Sequence, residues 1–300
     1  MSEYHIPVLL HPSIDGLAIK PDGIYVDATF GGGGHAKEIT DRLDDKGHLF
    51  VFDQDEDAAA NLWGGNRITL INSNFRYITH WMKYYGTEGK IDGVLADLGV
   101  SSHQFDDPVR GFSYRYDEPL DMRMNRQQTL TAADVINEYT AEQLQDMFSK
   151  FGEVSNSRTL ARQILLARNS SPIITTGQLV SVAEQVIRGQ KMRYLSQLFQ
   201  SLRIEINDEM GALKDLLKGA EKVLKPGGRI VVISYHSLED RLVKRFFKTG
   251  NFEGEPDKDF FGKKKVGWKV VTKNPVEPET DEQASNPRSR SAKMRVAEKA

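Results

Sequence analysis

The chain of 300 residues contains no cysteine, which excludes disulfides, thiolate metal sites and cysteine nucleophiles. No apolar run approaches the roughly 20 residues that a membrane-spanning helix needs. Residues 1–10 lack both a basic segment and a long apolar core, so they do not resemble a signal peptide. The composition, 39% hydrophobic and 27% charged, is typical of a soluble globular protein. We therefore expect a cytoplasmic enzyme or binding protein with no membrane contact.

The chain also lacks a strong overall charge of either sign, because its formal net charge is −2 at pH 7. Positive charge is instead concentrated toward the C-terminus. Residues 241–273 carry ten basic and four acidic side chains, and residues 285–300 carry five basic and one acidic. Whole-protein attraction to a polyanion is thus absent, and any such binding must be local.

Histidines with the spacing of a metal site are missing as well. The seven histidines form no H-x-x-x-H pair, so we predict no metal site. His5 and His11 lie in a stretch with a short helical pattern, and we interpret them as polar residues at the rim of that helix.

The most informative stretch is residues 24–35. An apolar strand over residues 24–28 leads into Gly31–Gly34, and a helical pattern follows over residues 36–43. A strand, a glycine turn and a helix form the first unit of a nucleotide-binding sheet. Glycine lets the backbone approach a ligand closely, and the N–H groups that begin the next helix can face that ligand. A tight turn that binds nothing is the alternative interpretation.

Acidic residues follow the strands of this predicted sheet. Three more strands are predicted, over residues 48–52, 68–72 and 91–97. Asp53 ends the second strand roughly 20 residues past the glycine turn, where a carboxylate suits ribose hydroxyls. Asp27, Asp53 and Asp97 all lie at or near the carboxyl edge of the sheet, where ligands bind. Phe75, after the third strand, either stacks on a flat heterocycle or belongs to the core.

The segment after strand four changes character. Residues 97–124 form a predicted loop, and from Arg110 to Met124 it interleaves arginines with aromatic side chains, a pattern that suits stacking on unpaired bases. A structural loop with solvated arginines explains the same pattern equally well. From Thr131 onward helices follow without strands, and capping boxes begin at Thr131, Thr140 and Thr175. We predict an inserted helical domain of about 70–80 residues.

The alternation of helices and strands then resumes. A long amphipathic helix ends at Lys225-Pro226-Gly227-Gly228, and a fifth strand follows over residues 229–234. Residues 268–272 and 293–297 are expected to pair as a closing, hairpin-like unit. Residues 274–292 between them are rich in Pro, Glu and Ser, so we predict a mobile loop there.

The segment Leu224-Lys225-Pro226-Gly227-Gly228-Arg229 before strand five is similar to the class I methyltransferase fold, whose members bind S-adenosylmethionine. Further motifs resemble the RsmH (also called MraW) family of bacterial methyltransferases. These motifs are Asp27-Ala28-Thr29-Phe30-Gly31-Gly32-Gly33-Gly34-His35, Asp97-Leu98-Gly99-Val100-Ser101-Ser102-x-Gln104, Arg110-Gly111-Phe112-Ser113, Leu120-Asp121-Met122-Arg123-Met124, His236-Ser237-Leu238-Glu239-Asp240-Arg241 and Asn286-Pro287-Arg288. The resemblance spans nearly the whole chain.

The resemblance implies an α/β fold, a class I methyltransferase-like doubly wound sheet with an inserted small helical domain. Residues 1–124 and 204–300 are then the methyltransferase domain, and residues 125–203 a helical substrate-recognition domain. The implied activity is S-adenosylmethionine-dependent N4-methylation of a cytidine in 16S ribosomal RNA of the small ribosomal subunit. That RNA is the implied partner, and a homodimer is one candidate oligomeric state.

Site residues follow from position in these motifs. The family's cofactor contacts fall on Gly33, Gly34, His35, Asp53, Phe75, Asp97 and Gln104. Asp97, at the end of strand four, is also the candidate catalytic residue. From the charge pattern, the candidate RNA contacts are Arg110, Arg115, Arg123, Arg288 and Arg290.

Two departures from related patterns stand out. Asp97-Leu98-Gly99-Val100 occupies the place of the Asp/Asn-Pro-Pro-aromatic loop found in many amino-methyltransferases, and Tyr194-Leu195-Ser196-Gln197 that of the family's usual Pro-Ala-Thr-Arg. A dehydrogenase is a rival hypothesis, but four adjacent glycines lack clean G-x-G-x-x-G spacing. A non-catalytic RNA-binding protein is another, and the intact glycine turn with Asp53 and Asp97 argues against it.

Overall fold

The computed structural model describes residues 7–255 and 266–300. His5 and residues 256–265 of the basic segment therefore lie outside the described residues. The chain forms two compact units, one from Met1–Gly99 with Gly211–Ala300 and one from Val100–Met210. The second unit begins earlier than the predicted boundary at residue 125, because Phe112, Leu120 and Met122 belong to its helical core. It ends after the predicted boundary at residue 203.

The first unit is built on a seven-stranded sheet in the order β3-β2-β1-β4-β5-β7-β6. Strands β1 to β5 run parallel to one another, whereas β7 is antiparallel to both β5 and β6. The strands are β1 Ile24–Asp27, β2 His48–Asp53, β3 Ile68–Asn72, β4 Ile91–Asp97, β5 Leu224–Ser234, β6 Trp268–Val270 and β7 Lys293–Lys299.

The helices of the described residues, in chain order, are α1 Leu10–Leu17, α2 Gly34–Asp41, α3 Ile78–Tyr84, α4 Ser102–Asp106, α5 Ala132–Glu138, α6 Ala141–Gly152, α7 Ser157–Arg168, α8 Thr176–Glu184, α9 Lys191–Ile206, α10 Glu209–Val223, α11 Ser237–Thr249 and α12 Thr280–Ser285. None of these helices is both long and apolar enough to cross a membrane. Helices α4 to α9 belong to the second unit.

The sheet is buried on both faces, which explains why its inner strands are continuously apolar. Alternate residues enter two separate cores: Val26 and Phe50 pack in one, and Tyr25 and Leu49 in the other. A parallel sheet covered on both faces, with a helical unit inserted between β4 and β5, is the predicted fold class. The class I methyltransferase-like doubly wound fold is therefore confirmed.

The closing strands pair as predicted, with Trp268 opposite Lys299 in the antiparallel β6–β7 ladder. The prediction of a mobile loop over residues 274–292 is wrong. This segment contains α12 and a 3-10 turn over Pro287–Ser291. Its order depends on a distant partner, since Glu282 accepts a hydrogen bond from the Leu9 N–H at 2.7 Å. A contact between residues so far apart leaves no local sequence signal.

Three helices of the second unit, α5, α6 and α8, begin where the capping boxes predict. In each box, at Thr131, Thr140 or Thr175, the threonine side chain accepts a hydrogen bond from the backbone N–H of the residue three positions later. The side chain of that later residue in turn accepts from the backbone N–H of the threonine. Each box satisfies two backbone donors that a helix start would otherwise leave without partners. Local sequence therefore sets these boundaries, and the apolar faces behind them pack into one core.

A buried ion pair fastens α11 to strand β7. The Arg295 guanidinium donates to both carboxylate oxygens of Asp240, at 2.6 and 3.1 Å. The side chains are only 7% and 16% exposed. Removing one partner of such a pair leaves the other charge buried and uncompensated, which is far more costly than breaking an exposed pair.

We predict that Asp240→Ala lowers the free energy of unfolding by about 3 kcal/mol or more, because Arg295 loses its counter-charge. The matched control is Asp41→Ala, which breaks the exposed Lys37–Asp41 pair and should cost less than about 1 kcal/mol. Urea unfolding followed by circular dichroism measures both. Equal losses in the two variants would show that Asp240 does not anchor α11.

Candidate active site

The glycine turn lies between β1 and α2, at the carboxyl edge of the sheet. Gly33 has a φ of 77°, in the left-handed region that favours glycine. A side chain at Gly33 would meet the Phe30 ring at 3.1 Å, and one at Gly34 would overlap Pro7. At Gly32, by contrast, nothing lies within 4 Å of the position of a Cβ. Packing therefore closes the turn at Gly33 and Gly34, and a ligand can approach its backbone at Gly32.

Asp53 ends β2 and holds this turn in place. Its Oδ2 accepts from the Gly31 N–H at 2.8 Å, and its Oδ1 accepts from the Asp55 N–H at 2.9 Å. Burial raises the pKa of Asp53, and these N–H donors oppose the rise. Each carboxylate oxygen can accept a further hydrogen bond. Asp53 can therefore bind ligand hydroxyls while it fixes the glycine turn.

Thr29 links the two acids that end β1 and β4. Its hydroxyl accepts from the Asp97 N–H at 2.7 Å and lies 3.4 Å from Asp27 Oδ1, to which it donates. The Thr29 N–H donates to the same Oδ1 at 3.0 Å. Asp27 Oδ2 is buried and has no hydrogen-bond partner among the described residues. Because such an atom is costly to leave unsatisfied, it marks a place for a donor from a ligand or water.

The two carboxylate oxygens of Asp97 have different surroundings. The Tyr235 hydroxyl donates to Asp97 Oδ1 at 2.7 Å. Asp97 Oδ2 lies 3.9 Å from His35 Nδ1, and the Asp97 side chain is 22% exposed. His35 Nε2 lies 3.1 Å from the Val8 carbonyl, which can only accept, so the ring proton is on Nε2. In the neutral ring Nδ1 is thus an acceptor that faces a second acceptor.

Burial sets the charge of these groups. It raises the pKa of Asp27 to about 7 and the pKa of Asp97 to about 7. At Asp97 the hydrogen bond from Tyr235 opposes the rise, whereas the negative charge of Asp27 adds to it. Burial also lowers the pKa of His35 to about 4, so its ring is neutral at pH 7. Positive charge brought by a ligand would favour the ionised acids.

The three atoms Asp27 Oδ2, Asp97 Oδ2 and His35 Nδ1 define what we call the acceptor cluster. All three accept hydrogen bonds, and they lie on elements that meet at the carboxyl edge of the sheet, as does the glycine turn. The cluster suits a cationic ligand that carries N–H donors. Asp53 adds the ability to bind hydroxyls at the end of the neighbouring strand.

Two further residues, Phe75 and Gln104, are predicted cofactor contacts and are not members of the acceptor cluster. Phe75 begins a 3-10 turn after β3, and its half-buried ring packs at the rim of a core. That position leaves both interpretations of Phe75 open. Gln104 belongs to the second unit, where it is 5% exposed and its Oε1 accepts from the Ser101 N–H at 3.2 Å. The cofactor contacts of both residues stay predictions.

The arginines of the loop after β4 differ in placement. Arg110 is only 3% exposed, and its guanidinium donates to the carbonyls of Arg123 and Met124 at 3.0 Å. Arg123 pairs with both oxygens of Asp121, at 2.8 and 2.7 Å. Both guanidinium groups therefore stabilise the loop through contacts inside it. The predicted role of Arg110 and Arg123 was instead to contact RNA. Arg115 is exposed, as a side chain for binding RNA must be.

Arg288 and Arg290 are exposed on the 3-10 turn that precedes β7. The turn is fixed from inside, because Ser289 between them is fully buried and its hydroxyl donates to the Asn286 carbonyl at 2.8 Å. A rigid turn that presents two guanidinium groups suits phosphate contacts. Their RNA contact stays a prediction.

The sequence analysis missed Tyr235 and Thr29 as site residues. Thr29 lies inside the glycine motif, so its position alone was a usable signal. Tyr235 follows β5. Because β5 pairs with β4, the residue after β5 comes close to Asp97 at the end of β4. Knowledge of the strand order, rather than of any local motif, could have identified it.

Comparison with known proteins gives a consistent result. The model of the MraW methylase family matches residues 2–300. The chain is 54% identical over 297 residues to the ribosomal RNA small subunit methyltransferase H of Parabacteroides distasonis, covering 99% of this chain and 97% of that protein. It is 54% identical over 298 residues to the protein of the same name from Flavobacterium johnsoniae, covering 99% and 98%.

Proposed function

This chain belongs to the MraW methylase family, and from that premise we propose that it methylates the N4 amine of a cytidine in 16S ribosomal RNA of the small ribosomal subunit. The methyl donor we propose is S-adenosyl-L-methionine. The observation that carries the proposal is the acceptor cluster beside an open glycine turn. The name shared by relatives over nearly the full chain supports the RNA substrate.

The residues of the site fit this donor chemically. S-adenosylmethionine carries a sulfonium, an α-ammonium and two ribose hydroxyls, and it supplies an activated methyl group. Buried Asp27 and half-buried Asp97 offer acceptors that a cation would keep ionised. Asp53 offers oxygens for the hydroxyls, and Gly32 gives access to the backbone of the turn. We assign Gly33, Gly34 and His35 to the same cofactor site, with Phe75 and Gln104 as further contacts.

Asp97 is the catalytic residue in this proposal. The exocyclic amine of cytosine is a poor nucleophile, because its lone pair is delocalised into the ring. An acceptor for one amine hydrogen draws the nitrogen toward tetrahedral geometry, and Asp97 Oδ2 is such an acceptor. The residues after it, Leu98, Gly99 and Val100, have no polar side chains. With a pKa near 7, Asp97 can also take up the proton that the amine releases.

Positioning contributes most of the rate in this view. Holding the amine and methyl group near contact is worth up to about 7–11 kcal/mol when both are well oriented. The target base has to leave its stack to reach the site, at a cost of a few kcal/mol. We propose that the helical unit recognises the RNA around the target, and that the enzyme acts in the cytoplasm on the small subunit.

Asp97→Asn tests the catalytic assignment, because it keeps the shape and removes the charge. With labelled S-adenosylmethionine and unmethylated small subunits, the wild-type protein should label one cytidine of 16S RNA. We expect Asp97→Asn to lower the single-turnover rate at saturating cofactor about 100-fold or more.

Asp92→Asn is the matched control for Asp97→Asn. Asp92 lies on the same strand β4, where its carboxylate accepts from the Ile24 N–H and pairs with lysines at the opposite edge of the sheet. The control should keep the wild-type rate. If Asp97→Asn also keeps it, Asp97 has no part in the chemical step, and if the wild-type protein labels no RNA the proposed function fails.

Asp53→Ala tests the ribose assignment. The variant should bind S-adenosylmethionine more weakly by about 1–3 kcal/mol, because the ribose hydroxyls lose a charged acceptor. Isothermal titration calorimetry measures the affinity directly. If the affinity is unchanged, Asp53 does not bind the ribose, and Asp55, which caps the 3-10 turn after β2, becomes the candidate.

Arg288→Ala combined with Arg290→Ala tests the RNA contact near β7. We expect weaker binding to the small subunit and a salt dependence that is flatter by about one to two units in log affinity against log salt, since each phosphate contact contributes roughly 0.7–0.9. Cofactor affinity should not change, because the proposed cofactor site uses neither arginine.

The alternative for Arg288 and Arg290 is that they only cover the edge of the sheet. It predicts a lower melting temperature and an unchanged salt slope. A salt titration of subunit binding, run beside a thermal melt of the same variant, separates the two. An unchanged slope contradicts the phosphate contact.

A further inference from the structure

Tyr235 is held between β5 and α11 by its backbone N–H and by its ring. Its N–H donates to Glu239 Oε2 at 2.9 Å, and Glu239 is a member of the capping box that begins α11. Its ring lies against the chain after β4, with Cδ2 3.6 Å from where a Cβ on Gly99 would stand. The position of the phenol is therefore set by the sheet and by the start of α11, independently of any ligand.

The hydroxyl of Tyr235 donates to only one of the two carboxylate oxygens of Asp97, Oδ1. At 2.7 Å the bond from Tyr235 to Oδ1 is short, as is common when the acceptor is ionised. The backbone N–H of Asp97 is held by Thr29, so the residue is fixed at both its main chain and its carboxylate. Oδ2 is left as the oxygen that faces His35 Nδ1, within the acceptor cluster.

We propose that Tyr235 is a positioning residue that acts through Asp97, donating its hydroxyl to Oδ1 so that the carboxylate is held as an ionised acceptor. The inference rests on the proposed function, because it concerns the residue to which we assign the methyl-transfer step. The inference predicts that the Tyr235 hydroxyl raises cofactor affinity only at a pH where Asp97 would otherwise be protonated.

Titratable groups from several helices and strands surround the hydrogen bond between Tyr235 and Asp97. They are Asp27 from β1, His35 from α2, Asp97 from β4, Tyr235 itself, Glu239 from α11 and Glu282 from α12. Tyr235 stays a neutral donor, because burial and the nearby Asp97 raise its pKa. His35 stays neutral above about pH 6, since its pKa is about 4. Asp97 and Asp27 are thus the groups of the contact that titrate near neutral pH.

The sign of the effect follows from the hydrogen bond. Tyr235→Phe removes a donor that favours the ionised carboxylate, so the pKa of Asp97 should rise above its value of about 7. A rise of about one unit weakens cofactor binding roughly eight-fold near pH 6.5, where the variant is mostly protonated. Near pH 8.5 both proteins are ionised, and the loss should shrink to less than about two-fold.

The experiment measures the Kd of S-adenosylmethionine for wild type and Tyr235→Phe by calorimetry at about pH 6.5 and about pH 8.5. At each pH the Kd of the variant is divided by the Kd of the wild type, so that titration of the ligand itself cancels. We expect this ratio to fall from roughly eight near pH 6.5 to less than about two near pH 8.5. A ratio that is the same at both pH values, whatever its size, overturns the proposal, because a loss of packing alone does not depend on the protonation of Asp97.

Two further variants sharpen the result. Tyr25→Phe is the matched control, since Tyr25 is a buried tyrosine of the same sheet whose hydroxyl accepts from the Lys20 N–H at 2.7 Å, away from Asp97. Its Kd ratio should not vary with pH. In the Asp97→Asn background Tyr235→Phe should cause no further pH-dependent loss, and a persisting pH-dependent loss contradicts action through Asp97.

The outcomes also separate this inference from the proposed function. If wild-type protein does not bind S-adenosylmethionine at either pH, the proposed function fails and the inference fails with it. If wild type binds and methylates RNA while the Tyr235→Phe ratio is independent of pH, only the inference is overturned.

Discussion

The hydroxyl of Thr29, between the carboxylates of Asp27 and Asp97, makes the contact on which the site depends. Thr29 accepts from the backbone of Asp97 and donates to Asp27, so it joins the ends of two parallel strands. Burial is the main cause that raises the pKa of each acid to about 7, and at Asp97 the negative charge of Asp27 adds to the rise. Two neighbouring side chains adjust to these acids. Tyr235 supplies a donor to one acid, and His35 stays neutral beside it.

The cost of burying these acids is the reason why, in the proposed function, the site suits a positively charged methyl donor. Without a cation, burial disfavours the ionised form of each acid, and Asp27 Oδ2 has no partner among the described residues. In the proposed function, a bound sulfonium or ammonium reverses the balance, because the ionised acids then gain attraction to the positive charge. Binding and protonation are linked in this proposal, in which Asp97 both favours the donor and acts as a base.

Local patterns predicted the sheet and the helix starts well. The limits of β3 and β4 follow from stretches that are mostly apolar, and three capping boxes set helix starts in the second unit. The placement of Asp53 and Asp97 at one edge of the sheet was predictable because parallel strands end there. Contacts between distant segments were not predictable: the bond from Leu9 to Glu282 orders a stretch that composition assigned to a mobile loop. The inward orientation of Arg110 likewise depends on carbonyls 13 and 14 residues away.

The insertion between β4 and β5 has a consequence for synthesis on the ribosome. Tyr235 follows Asp97 by 138 residues, which take on the order of ten seconds or more to translate. During that interval the helical unit, whose core is drawn from one continuous segment, can fold by short-range contacts. The sheet cannot close until β5 and then β7 emerge, because both β4 and β6 pair with strands made late. A chain that stops early therefore exposes the edge of β4 and has no complete site, so methylation capacity arises only in molecules that have reached their last strand.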